Sequence, residues 1–69
     1  MNFETILSGY DFKIEGTANH WYRFKSTNHI SILLDREKNE CSLVSQKFNV
    51  IRDFSYPEKL DGFLQAMFY

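Results

Sequence analysis

Three times between Tyr10 and Asp35 the chain alternates apolar and polar residues with a period of two. Tyr10, Phe12 and Ile14 alternate with Asp11, Lys13 and Glu15. Tyr22 and Phe24 alternate with Trp21, Arg23 and Lys25, and Ile30, Ile32 and Leu34 fall on one side of His29–Asp35. Successive side chains on a strand point to opposite faces, so the pattern predicts half-buried strands over Tyr10–Gly16, His20–Ser26 and His29–Asp35. Cys41–Gln46 repeats it more weakly and predicts a fourth. Residues directly opposed in a hairpin share a face. An odd-numbered loop is then needed to set Ile14 opposite Tyr22 and Phe12 opposite Phe24. Thr17-Ala18-Asn19 serves as that loop, with Asn19 in its left-handed position. Thr27-Asn28-His29 joins the second and third strands in the same way and sets Phe24 opposite Ile32. Asp35–Glu40 is a charged turn into the fourth strand.

The two ends read differently. Ser55–Tyr69 predicts a helix, with Ser55 and Glu58 as a capping box and Pro57 in the first turn. Leu60, Phe63, Leu64 and Met67 form its apolar stripe, and Gly62 lies within it. Asn2–Ser8 fits a single helical turn capped by Asn2 and ended by a left-handed Gly9, or a short edge strand. Lys47–Phe54 fits a fifth short strand or an extended connection, because Ile51 interrupts the alternation of Phe48, Val50, Arg52 and Phe54. The expected fold is α+β: a four-stranded antiparallel meander, with a fifth strand left open, and one C-terminal helix packed on one face. Its expected core is Phe12, Ile14, Tyr22, Phe24, Ile30, Ile32, Leu34, Leu43, Leu60, Phe63, Leu64 and Met67.

Length limits the rest. Sixty-nine residues hold one core, so residues 1–69 read as a single domain. One cysteine, Cys41, excludes an intrachain disulfide and argues for a reducing, cytoplasmic setting. A net charge of -1 supplies no global field for nucleic acid or anionic lipid. No apolar run approaches the ~18 residues of a membrane span, and Met1–Tyr10 lacks the pattern of a signal peptide.

No chemistry-bearing motif stands out. His20, His29 and Cys41 form no close pair of the kind zinc sites use, so no metal and no cofactor is expected. P-loop, G-x-S-x-G, G-x-G-x-x-G and H-E-x-x-H patterns are all absent. No catalytic residue is assigned and the chain is expected not to be an enzyme. Aromatics are the departure from ordinary composition, at 17%. They enlarge a small core and serve as binding anchors when left outside.

His20-Trp21-Tyr22-Arg23-Phe24-Lys25 interleaves aromatics with cations. Alternation turns Tyr22 and Phe24 inward and Trp21, Arg23 and Lys25 outward, where the two cations can pair across the hairpin. Trp21 has no such pairing role. One helix covers one sheet face, so Trp21, with Leu33 and Tyr10, is a candidate partner anchor, unless Phe3, Ile6 and Leu7 fold back over it. Phe68 and Tyr69, off the helical stripe, are further candidates for a sheet-edge or subunit contact.

These features point to a non-catalytic protein-binding module that occludes a surface of a larger partner. By analogy of size and composition, small inhibitors from phages and other mobile elements are of this kind. Two other readings are single-stranded nucleic-acid binding through Trp21, Tyr22, Arg23 and Lys25, and a homodimer or larger self-assembly through the open face.

Overall fold

The computed structural model of the chain describes residues 2–68. Helix α1 spans Phe3–Gly9. Five strands follow, β1 (Lys13–Ala18), β2 (Trp21–Lys25), β3 (Ser31–Asp35), β4 (Glu40–Val44) and β5 (Val50–Phe54), and then helix α2 (Pro57–Phe68). The strands form one sheet in the order β1-β2-β3-β4-β5, with every neighbouring pair antiparallel. The expected α+β meander is therefore present, with the fifth strand. No helix among the described residues is long and apolar enough to cross a membrane.

The N-terminal segment takes the helical alternative. Asn2 is extended, and its Oδ1 accepts from the Thr5 N–H at 2.8 Å. That satisfies one of the orphan donors of the first turn. The helix is not ended by a left-handed Gly9. Asp11 takes that conformation, at φ 63°, after the Phe12 N–H has turned back to the Leu7 carbonyl. Phe3, Ile6 and Leu7 are all buried. They pack with Phe24, Ile32, Leu34, Cys41, Leu43, Phe54, Leu60 and Leu64 in one cluster. They therefore sit in the same apolar layer as α2, and do not fold back over Trp21.

β1 begins at Lys13, so Tyr10 and Phe12, expected within this strand, precede it, and the β1–β2 register differs from the expected one. Thr17 pairs with Tyr22 and Ala18 with Trp21, which leaves a two-residue turn, Asn19-His20. An even-numbered turn would place Ile14 on the face opposite Phe24. A bulge at Glu15 inserts one extra residue and restores the match, so Ile14 pairs with Phe24. The bulge keeps Ile14 on the core side, but the edge of the sheet lies beyond the helices, and Ile14 is 52% exposed. The Thr27-Asn28-His29 loop and the pairing of Phe24 with Ile32 are as expected.

β5 uses the same device. Leu43 pairs with Arg52 and Val44 with Val50, so Ile51 is the extra, bulged residue. The break that Ile51 makes in the alternation is thus a bulge inside a strand. Bulges on both edge strands also discourage edge-to-edge pairing with other chains.

Pro57 is the first residue of α2, which puts Tyr56, not Ser55, at the cap; the Tyr56 carbonyl accepts from Lys59 and Leu60. Leu60 and Leu64 are buried. The next inward position is Phe68, four residues on, which packs edge-to-face on Phe12 with centroids 6.3 Å apart. Met67, expected in the core, follows the row through Phe63 off the side of the layer and is 45% exposed. Tyr22, Ile30 and Phe63 are half-buried against the core. The Arg52 guanidinium lies over the rings of Phe54 and Phe63, at 5.3 and 5.4 Å. Its apolar stem and flat head cover the rim of the core there.

Candidate functional site on the helix-free face

Both helices contribute to one core, and register decides what the other face carries. Lys13 pairs with Lys25, Gly16 with Arg23 and Ala18 with Trp21; Arg23 in turn pairs with Leu33, and Leu33 with Ser42. Ser42 pairs with Asp53 and donates its hydroxyl to the Asp53 carboxylate. Trp21, Arg23, Lys25 and Leu33 therefore share the helix-free face. Trp21 is 38% exposed.

A residue from outside the strands completes this face. The β2–β3 and β4–β5 turns are built alike. In the first, Ser26 Oγ accepts from the Asn28 and Ile30 N–H groups, and the His29 N–H returns to the Ser26 carbonyl. In the second, Ser45 Oγ accepts from the Lys47 and Asn49 N–H groups, and the Phe48 N–H returns to the Ser45 carbonyl. The serine hydroxyl thus stands in for missing ladder partners in both turns. In both, the residue three after the serine is left-handed: His29 at φ 64° and Phe48 at φ 62°.

Histidine tolerates that conformation comparatively well, whereas a bulky phenylalanine there is an outlier. The left-handed conformation costs an ordinary side chain about 1–2 kcal/mol. Phe48 is nevertheless 50% exposed, so core burial does not account for it. Its ring lies 5.5 Å below the Arg23 guanidinium.

Gly16 makes room for that arrangement. A Cβ at this position would lie 3.3 Å from Arg23 Nη2, so glycine lets the guanidinium rest close against β1, and a larger residue would displace it by a few tenths of an ångström. Glu15, the bulged residue, brings its carboxylate to 4.0 Å from Arg23 Nε. That nitrogen is enclosed and has no hydrogen-bond partner among the described residues. Trp21 and Phe48 flank an open cleft of about 210 Å³ whose other walls are Gly16, Thr17, Ala18, Arg23 and Leu33. It is smaller than the roughly 300–1,000 Å³ of small-molecule pockets, and its scale suits one inserted side chain.

The other sequence-predicted residues lie elsewhere. Tyr10 stacks on Phe68 at 5.9 Å and donates its hydroxyl to Asp61 Oδ1 at 3.1 Å, so both aromatics belong to the helical layer and not to the Trp21 face. Tyr69 lies outside the described residues. Tyr22 is turned from Trp21 and sits under Arg36, whose guanidinium is 4.6 Å above its ring and donates to its hydroxyl at 2.6 Å. Phe48 and Lys13 were not singled out in the sequence. The matching spacing Ser26-x-x-His29 and Ser45-x-x-Phe48 was the available signal for Phe48.

The titratable groups with chemical interest are dispersed. His20 lies between Asp35 and Glu37, at 3.6 and 3.4 Å, at the β1–β2 turn. His29 is at the opposite end of β2. Cys41 is fully buried, and burial pushes its thiol up to about 12. A thiol so protonated is a packing group and a poor nucleophile.

No protein-family model matches this chain, and no curated protein or solved structure matches it.

Proposed function

We propose that the chain is a non-catalytic protein-binding module that docks its helix-free sheet face on a larger partner and occludes the surface it covers. The observation that carries this reading is Phe48: a large aromatic held half-exposed in a left-handed backbone, beside an exposed Trp21 and over a floor of small residues. Aromatics flanked by arginine are the residue types that dominate binding energy at interfaces. A cytoplasmic setting fits the single buried thiol, and an inhibitory outcome would follow if the covered surface is a working one.

The test is affinity capture from host lysate with wild type, Trp21→Ala and Phe48→Asn, each checked for folding by circular dichroism. One dominant protein captured by wild type and lost from both folded variants is the expected result. Equal capture by all three would move the docking surface elsewhere.

The nucleic-acid reading would draw on Trp21, Arg23 and Lys25 without Tyr22, which packs under Arg36. Self-assembly draws on the exposed Val50 and Ile51 of β5. Light scattering on a concentration series tests it, and a monomer throughout would remove it.

A further inference from the structure

We infer that the partner presents an acidic segment: an apolar side chain for the Trp21–Phe48 cleft, followed within a few residues by carboxylates for Lys13, Arg23 and Lys25. The inference rests on the docking reading above and adds the chemistry of what docks.

Lys13 and Lys25 are direct cross-strand partners, and neither has an ion pair among the described residues. Like charges placed opposite one another weaken a sheet, so this pair contributes nothing to the fold that a neutral pair would not supply better. Arg23 is two residues from Lys25 on the same face, and its Nε has an unused proton in an enclosed position. Along the groove formed by Arg23, Lys25, His29, Ser31, Gln46 and Phe48, Glu15 is the single carboxylate. Lys13 and Lys25 share the neighbouring depression with Asp11 and Glu15, and Arg23 lies 4.0 Å from Glu15, so three cations face two carboxylates beside the aromatic cleft and the complement they lack is anionic.

Spacing narrows the ligand. Trp21 and Lys25 are four residues apart on β2, about 13 Å at strand rise. An extended segment anchored in the cleft reaches the lysines within about four of its own residues.

The far side of the same face favours a protein over a polyphosphate. Asp53 and, by register, Glu40 lie there, and the whole chain carries a net charge of -1. A nucleic-acid backbone crossing the sheet would leave three cations and run onto carboxylates. A protein segment with one acidic end would not.

The experiment is selection of a random peptide display library on the immobilised full chain. The enriched peptides are then synthesised and titrated against wild type, Phe48→Asn and the double variant Lys13→Gln/Lys25→Gln. The double variant removes a repulsion, so it should be at least as heat-resistant as wild type, and a loss of binding in it cannot be put down to misfolding. The expected result is enrichment of Asp or Glu within four residues of Phe, Trp or Leu. Affinity should fall about tenfold or more in each variant and weaken with added salt. Enriched peptides that lack acidic residues but need Phe48 would overturn the acidic partner and leave the docking face standing. No enrichment, or binding indifferent to Phe48, would overturn both. Tighter binding of fifteen-residue oligothymidylate than of any selected peptide would replace the protein partner with nucleic acid.

Discussion

Phe48→Asn separates a residue kept for folding from one kept for contact. Replacing the ring removes two favourable terms. Phe48 is 50% exposed, so about half of the roughly 1.5–3 kcal/mol of a fully buried phenylalanine is at stake, on the order of 1 kcal/mol. The contact with Arg23, at a partly exposed site, adds about 0.5–1 kcal/mol. Against this, asparagine adopts φ near 60° readily, which recovers much of the about 1–2 kcal/mol that phenylalanine forfeits there. The terms nearly cancel. The expected change in unfolding free energy is within about 1 kcal/mol, or about 4–8 °C in Tm for a domain of this size. The assay is urea unfolding followed by circular dichroism. Phe54→Ala serves as control, because Phe54 is 2% exposed and should lose about 3–5 kcal/mol. A loss above about 2 kcal/mol in Phe48→Asn would show that the ring is structural, and the case for a contact residue would fall with it.

Three further outcomes follow from the same geometry. Cys41 should resist thiol reagents at pH 8 in the native chain and react at the rate of unfolding. Burial raises its pKa from an ordinary 9.0 to about 12, so its contribution to stability is full below about pH 9 and is lost as pH rises toward 12. The readout is the difference in alkaline unfolding between wild type and Cys41→Ala. Asp35→Ala should cost about 1–3 kcal/mol in urea unfolding, because the buried Asp35 carboxylate accepts from the Glu37 and Lys38 N–H groups at 3.0 and 3.2 Å; Asp35→Asn, which keeps an acceptor, should recover part of the loss. Leu64→Ala, fully buried between α2 and the sheet, should cost about 2–5 kcal/mol. In so small a domain that removes much of the stability, read as lost thermal cooperativity.

The division between sequence and structure runs along the range of the interactions. Period-two alternation and local turn chemistry were legible, because a strand's faces and a hairpin's loop depend on residues a few positions apart. That is why the first four strands, the Thr27-Asn28-His29 loop, the C-terminal helix with Leu60 and Leu64 inward, and the sharing of one face by Trp21, Arg23, Lys25 and Leu33 could all be read directly. The parity argument put Ile14 on the side of Phe24 for a reason that the fold replaces: an even turn corrected by a bulge at Glu15, two local deviations whose effects cancel. What the tertiary structure alone decided is where each layer stops. α1 joins α2 beneath the sheet and leaves Ile14 and Met67 at its margins. Tyr10 and Phe68, distant in sequence, find each other there. The β4–β5 turn sets Phe48 beneath Arg23, a residue 25 positions away in the numbering. Alternation assigns a side chain to a face, but only packing among distant segments determines whether that face is covered, and therefore which aromatics remain free to bind.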